Sequence, residues 1–233
     1  MNVEQYFDKY AKEHTKQNRW QYYWYRWIVN TMCKEASVKK GYNVLDLGTG
    51  GGIIPIKISK KIGSVGSVIG ADISKNMLKE CRKFLKKLGI KNVVLKKSRI
   101  ESLNFPSESF DVVFSSLSID HVKDKLKFSK KVKKWLKPKG RFIISSGFRP
   151  KEKYKKLVAR LQKNNPRKSK LFENSLKSIY KNASRGYLNE HPEEFNVGPF
   201  ELKSILEKAG FVKVKIIPAY HPTFGVIKAE KSE

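Results

Sequence analysis

The chain has 233 residues, of which 39% are hydrophobic, so it is long enough for one large domain or two small ones around a buried core. No apolar run approaches the roughly 18–20 residues of a membrane-spanning helix, and the first residues lack the basic start and apolar stretch of a secretory signal, so we expect a cytoplasmic protein. A formal net charge of +29 attracts polyanions, such as nucleic acid or an anionic membrane surface. A lysine-rich proteome or adaptation to heat would give the same charge, and both interpretations stay open.

The first 37 residues are predicted to be helical and are rich in aromatic side chains. Nine aromatic residues fall in this stretch: Tyr6, Phe7, Tyr10, Trp20, Tyr22, Tyr23, Trp24, Tyr25 and Trp27. One helix face cannot bury so many, so we expect some to line a pocket or a partner surface and others to pack the helices onto a sheet. The two cysteines, Cys33 and Cys81, fit no metal or redox spacing, so we expect buried thiols and no metal site.

From residue 42 onward, short apolar runs alternate with helical patterns. Strands are predicted at 42–47, 67–73, 92–97, 110–115 and 141–145. Helices are predicted between them at 53–62, 74–88 and 123–137. Such alternation indicates a parallel, doubly wound α/β sheet. A helix at 199–209 and strands at 211–217 and 224–229 follow, and the short link between these last strands requires an antiparallel pair at the sheet edge.

A basic segment at residues 151–185 interrupts the alternation. It holds 12 basic residues against 2 acidic ones, a local net charge of +10. Two helices broken near Pro166 are predicted there. Their basic face, with interleaved apolar side chains, suits an anionic amphiphile or a membrane surface, while a solvated helical face is the alternative interpretation.

The predicted first strand ends in Asp46-Leu47-Gly48-Thr49-Gly50-Gly51-Gly52 and leads into a helix. Glycines allow the backbone to approach a ligand, and a helix N-terminus offers free N–H groups. A carboxylate at Asp46 would repel a pyrophosphate but suits a ligand with an ammonium group. Asp72, at the end of the second strand, can accept hydrogen bonds from both hydroxyls of a ribose. A ligand with an amino-acid end and a ribose is S-adenosylmethionine.

The chain resembles the class I S-adenosylmethionine-dependent methyltransferases, in the group that includes ubiquinone/menaquinone C-methyltransferases and small-molecule or phospholipid-headgroup methyltransferases. The resemblance covers about residues 40–148 and 199–230 and rests on five segments in order: Val44–Gly52, Ala71–Ser74, Leu103–Asp111, Leu136–Arg141 and Leu206–Phe211. It implies one Rossmann-like methyltransferase domain over 1–233. That domain would hold a seven-stranded, mostly parallel sheet with an antiparallel last strand, aromatic N-terminal helices at 1–37 and a helical lid at 151–197.

The same resemblance assigns cofactor contacts. It places Asp46, Gly48, Thr49, Gly50 and Gly51 around the methionine part, Asp72 on the ribose, Ile73 on the adenine, Ser115 and Ser116 on the floor of the site, and Tyr10 or Tyr6 as a cover. It also assigns the backbone N–H of Ile100 to the adenine ring. Arg99 departs from the family, which usually has Asp or Asn there to accept from the adenine amino group. A guanidinium cannot accept a hydrogen bond, so we expect Arg99 to face solvent.

The best candidates for acid–base chemistry are His121 and Asp120, just past the fourth strand, where Asp120 would orient His121 or act as the base itself. A packing or capping role for His121 is the alternative, and His191 and His221 are weaker candidates. The sequence Ser115-Ser116-Leu117-Ser118 lacks the Asn/Asp-Pro-Pro-aromatic motif of enzymes that methylate exocyclic amino groups. We therefore expect a small-molecule or lipid-like acceptor, a quinone precursor or a phospholipid headgroup. An RNA methyltransferase that grips phosphates with the basic segment is the alternative.

Overall fold

The computed structural model describes residues 1–16, 18, 23–147, 197–218 and 224–233. The basic segment at 151–185, nearly all of the predicted lid at 151–197, and His191 and His221 lie outside the described residues. The predictions made for them therefore stay predictions, as does the assignment of the whole chain to one domain.

The described residues form six α-helices and seven strands. The helices are α1 (Val3–Lys16), α2 (Tyr23–Ala36), α3 (Ile53–Ile62), α4 (Lys75–Lys87), α5 (Lys125–Trp135) and α6 (Pro199–Lys208). The strands are β1 (Asn43–Leu47), β2 (Ser67–Asp72), β3 (Val93–Lys97), β4 (Phe110–Ser116), β5 (Leu136–Gly147), β6 (Val212–Pro218) and β7 (Phe224–Glu230). Two short 3₁₀ turns lie at Ile100–Ser102 and Ile119–His121. None of these helices is long and apolar enough to cross a membrane.

The seven strands form one sheet in the order β3-β2-β1-β4-β5-β7-β6. Strands β1 to β5 pair in parallel, whereas β7 runs antiparallel to both β5 and β6. This arrangement confirms the predicted Rossmann-like sheet and the antiparallel pair. The order reverses between β1 and β4, and in open α/β sheets ligands bind outside the carboxyl ends of the strands at such a point.

Buried side chains divide the core into a layer on each face of the sheet. One layer packs α2 and α3 against Val44, Phe114 and Ile143. The other packs α5 and α6 against Leu45, Leu47, Val113, Phe142 and Ile144. Successive residues of β1 therefore point to opposite layers, as strand geometry requires. Because Asp46 has the parity of Val44, the carboxylate lies on the face that α2 and α3 cover.

The junction between α5 and β5 differs from the predicted bounds. Asp124 caps α5 by accepting the N–H of Lys127 at 2.8 Å, so the helix begins at Lys125 and not at 123. It ends at Trp135, because Leu136 already pairs with Phe110 of β4. The sequence Pro-Lys-Gly at 138–140, predicted as a turn before the strand, is instead an irregularity within β5.

Candidate active site

The glycine loop after β1 adopts backbone conformations that favour glycine. Gly48, Gly50 and Gly52 have φ of 71°, 52° and 80°. A side chain at Gly48 would overlap the Cβ of Ser118, and one at Gly51 would come within 2.6 Å of a methyl carbon of Thr15. The loop is thus enclosed between the turn after β4 and helix α1, and side chains larger than hydrogen do not fit at Gly48 and Gly51 without displacing a neighbour.

Asp46 is buried beneath this loop at 1% exposure. Its Oδ1 atom has no hydrogen-bond partner among the described residues. Burial raises the pKa of Asp46 to about 7, and the Thr49 hydroxyl opposes part of the shift, although it does not reach hydrogen-bond geometry. A buried carboxylate oxygen without a partner is costly, and a cationic ligand group would offset that cost.

Asp72, at the end of β2, is held by backbone groups on both sides. Its Oδ2 accepts the N–H of Gly50 at 2.8 Å, and its Oδ1 accepts the N–H of Ser74 at 2.9 Å. Burial raises the pKa of Asp72 to about 6, while these amides lower it. Each carboxylate oxygen can accept a further hydrogen bond, so the side chain is oriented and still able to bind hydroxyl groups.

The residues predicted to contact an adenine lie next to Asp72. The side chain of Arg99 is 56% exposed and lies 3.9 Å from Glu101. This orientation agrees with the expectation that Arg99 faces solvent. Ile100 begins the following 3₁₀ turn and packs against the core, and Ile73 is half-buried. The adenine contacts themselves stay predictions.

Helix α1 lies across the carboxyl end of the sheet. Its Asp8 contacts the N-terminus of α4, and its Phe7 ring meets the His121 ring edge to face at 6.1 Å between centroids. Tyr10 packs against Tyr6 at 5.0 Å. The roles of Tyr10 and Tyr6 as a cover of the cofactor stay predictions.

Hydroxyl groups line the ends of β4 and β5. Ser118 donates to the Leu47 carbonyl at 2.6 Å and lies 2.8 Å from the hydroxyl of Ser115. On the other face, Ser116 lies 3.0 Å from the hydroxyl of Ser145 and 3.4 Å from that of Tyr25. Burial raises the pKa of Tyr25 to about 12, so the phenol keeps its proton at neutral pH.

The 3₁₀ turn after β4 carries both predicted catalytic residues. Asp120 is buried, and its Oδ1 accepts the Ser146 hydroxyl at 2.7 Å, which fastens the turn to β5. His121 is partly exposed and faces α1. Of the two, His121 is the more exposed, and Asp120 holds the turn that carries it; their catalytic roles stay predictions.

Sequence reasoning missed Asp8, Tyr25, Ser118, Ser145 and Ser146. Ser145 ends a predicted parallel strand and Ser146 follows it, so the convergence of strand ends could have identified both. Asp8 and Tyr25 lie inside helical patterns with no local signal, because their roles depend on how α1 and α2 dock.

Residues 38–210 match a family model described as a methyltransferase domain. The chain is 31% identical over 199 residues to the ubiquinone/menaquinone biosynthesis C-methyltransferase UbiE of Escherichia fergusonii, covering 82% of this chain and 74% of that protein. It is 32% identical over 179 residues to the UbiE protein of Pseudoalteromonas translucida, covering 76% and 68%. These matches, together with the sheet order and the loop geometry, show that the chain belongs to the methyltransferase domain family.

It is an S-adenosylmethionine-dependent methyltransferase. Solved structures agree on the fold. A methyltransferase of Aquifex aeolicus superposes with a TM-score of 0.65 at 21% identity, covering 96% of this chain and 98% of that one. An N-methyltransferase of Haemonchus contortus, in complex with phosphomonomethylethanolamine and S-adenosylhomocysteine, superposes with a TM-score of 0.68 at 17% identity, covering 100% and 61%.

The residues at the strand ends fit the chemical groups of this cofactor. The unpartnered Oδ1 of Asp46 suits the ammonium group, and Gly48 and Gly50 have positive φ in a loop that has no room for a side chain at Gly48. The oriented carboxylate of Asp72 suits the two ribose hydroxyls.

Proposed function

We propose that this enzyme transfers the methyl group of S-adenosylmethionine to a carbon atom of a small aromatic acceptor of the hydroquinone type. The observation that carries the proposal is the contact between the rings of His121 and Phe7. This contact places a ring that can accept a proton next to an aromatic side chain of α1. The two UbiE proteins, named for carbon methylation in quinone biosynthesis, support the same acceptor class.

The cofactor would be held by residues of β1, β2 and the glycine loop. Asp46 would accept from the ammonium group, Asp72 from the ribose hydroxyls, and the loop glycines would lie next to the methionine part. Ile73 and the backbone N–H of Ile100 would contact the adenine, and Ser115 and Ser116 would line the floor of the site. When bound, the cofactor supplies a methyl group on a positively charged sulfur, which is already electrophilic.

The protein's own task is to position the acceptor and to receive a proton. Carbon methylation forms one C–C bond, breaks the bond from sulfur to methyl, and releases the proton of the attacked ring position. His121 takes the proton from the acceptor hydroxyl, which makes the ring more nucleophilic. After methyl transfer the ring proton passes to solvent as aromaticity returns, and His121 gives its proton back to the acceptor oxygen, so one proton is released per turnover. Phe7 stacks at the edge of the acceptor and excludes water from one side. Positioning of this kind supplies most of the rate enhancement for a methyl transfer.

A phospholipid amine and RNA are the competing acceptors. The described positive charge does not select RNA, because it lies on both faces of the sheet. Helix α3 exposes Lys57, Lys60 and Lys61 on one face, and α5 exposes lysines on the other, at Lys127, Lys130 and Lys134. An RNA site would concentrate such charge around the active site.

The test is a parallel assay of the purified chain with methyl-labelled S-adenosylmethionine and three acceptors. These are a prenylated hydroquinone, vesicles containing phosphatidylethanolamine, and total RNA. Label in the hydroquinone, reduced about a hundredfold by His121→Gln, is the expected result. Label confined to the lipid amine or the RNA would refute the proposal.

A further inference from the structure

Helix α1 is a self-capped helix whose side chains dock on α4 and on the loop after β1. The Asn2 side chain accepts the N–H of Gln5, and the Gln5 side chain accepts the N–H of Asn2, each at 3.0 Å. This reciprocal capping sets the start of the helix without help from the rest of the chain. The docking of α1 must therefore come from the contacts along its inner side.

Those contacts centre on Asp8 and the N-terminus of α4. Asp8 Oδ1 accepts the Ser74 hydroxyl at 2.6 Å and the N–H of Asn76 at 3.0 Å. The Asn76 side chain returns a hydrogen bond to the Asp8 carbonyl at 3.1 Å. The first N–H groups of a helix have no partners within it, so the Asp8 carboxylate both caps α4 from outside and meets the positive end of its dipole.

Ser74 connects this contact to the cofactor site. Its backbone N–H orients Asp72, its hydroxyl donates to Asp8, and its oxygen accepts the N–H of Met77. Ser74 is fully buried, and its hydrogen bonds with Asp72 and Met77 are buried, while the one to Asp8 is part-buried. Burial by itself raises the pKa of Asp8, but the hydrogen bonds from Ser74 and Asn76 outweigh it, and the net pKa is lowered.

The same helix presents residues to the rest of the active site. Thr15, two turns beyond Asp8, lies directly against Gly51 of the cofactor loop. Phe7, next to Asp8 in sequence, faces His121. A second polar contact, between Glu4 and Lys97 at 2.8 Å, joins two half-exposed side chains, and contacts of that kind contribute little.

We propose that Asp8 is a positioning residue for methyl transfer. Its carboxylate holds α1 against the N-terminus of α4, and α1 in turn holds Phe7 next to His121 and Thr15 against the cofactor loop. Asp8 acts through Phe7 and Thr15 and contacts no reacting atom. The contact between Asp8 and α4 must break for the cofactor to exchange, so the strength of this contact sets the rate at which S-adenosylhomocysteine dissociates. The identity of the acceptor does not enter this inference, which rests only on S-adenosylmethionine binding at the strand ends.

The experiment compares Asp8→Ala, Asp8→Asn and Glu4→Gln with the wild-type chain. Rapid mixing measures the dissociation rate of S-adenosylhomocysteine, and hydrogen exchange measures protection of residues 3–16. We expect Asp8→Ala to speed dissociation at least about tenfold and to abolish the protection of α1, because the carboxylate loses the part-buried hydrogen bond from Ser74 and the exposed one from Asn76. Asp8→Asn keeps an accepting oxygen and should rescue most of the effect. Glu4→Gln removes a charge from the same helix and should change either value less than about twofold.

Unfolding by denaturant distinguishes the loss of the contact between Asp8 and α4 from a general loss of structure. The proposal requires the faster dissociation of Asp8→Ala at a denaturant concentration where the chain remains folded. It is overturned if Asp8→Ala matches the wild type in dissociation rate and in protection of α1. It is also overturned if Glu4→Gln has an equal effect. Neither readout needs an acceptor, so failure of the hydroquinone assignment would leave the result interpretable.

Discussion

The affinity for cofactor should depend on pH because of the buried carboxylate of Asp46. Burial raises its pKa from 3.8 to about 7, and a ligand ammonium group next to it favours the ionised form. Below that pKa, binding must first remove a proton, so the affinity for S-adenosylhomocysteine should fall about tenfold per pH unit. Between about pH 8 and about pH 5.5 the total loss should be about thirtyfold.

The matched variants are Asp46→Asn at the site and Asp111→Asn at the opposite end of β4. Asp46→Asn should weaken binding about 10- to 100-fold near pH 8, since a charge-assisted hydrogen bond is lost. It should also remove most of the slope, leaving the smaller contribution of Asp72, whose pKa is raised to about 6. Asp111→Asn should keep the wild-type slope, because that carboxylate binds Asn43 and Lys137 away from the site.

Stability without ligand should change in the opposite direction. A raised carboxyl pKa in the folded state contributes stability that is present below pH 4 and is lost as pH rises through about 7. Asp46→Asn should therefore raise the melting temperature of the ligand-free chain near pH 8 while it weakens binding. Isothermal calorimetry and thermal unfolding check both statements. A wild-type affinity independent of pH, or an Asp46→Asn variant with the full slope, would refute the reasoning.

Three substitutions at the site, and one control substitution outside it, test the remaining residues. Gly48→Ala should abolish cofactor binding measured by calorimetry, because the new Cβ meets Ser118. Gly89 has a similar φ but open space around it, so Gly89→Ala should leave the affinity for the cofactor unchanged. Equal losses would show that backbone strain alone is responsible. Arg99→Ala should leave the affinity within about twofold, since the side chain faces solvent; a large loss would place the guanidinium on the ligand. His121→Gln should lower kcat about a hundredfold without changing the affinity for S-adenosylhomocysteine, and an unchanged kcat would exclude a role as base.

The sequence predicted the sheet because its signals are local. Apolar runs such as 43–47 end at glycines, and Ser74 is an N-cap whose hydroxyl accepts the N–H of Met77, as the structure confirms. The bounds of α5 were wrong because Leu136 pairs with a distant strand, and strand pairing outweighs helical periodicity at that residue. Local pattern cannot show such a contact.

The residues of the candidate site likewise divide into those that local sequence patterns predict and those that such patterns miss. Asp46, Asp72 and the glycine loop could be predicted because strand ends of a parallel sheet converge. The contact of Asp8 with α4 and that of Tyr25 with Ser116 could not, because each depends on how a helix docks on residues far away in sequence.

The most direct test of the account is the position of the transferred methyl group. The purified chain is incubated with S-adenosylmethionine carrying a ¹³C methyl group and a prenylated hydroquinone, and the product is examined by carbon NMR. We expect a new methyl resonance from a methyl group bound to a ring carbon. A methyl resonance on oxygen, or the absence of product while the same preparation methylates a lipid amine or RNA, would contradict it.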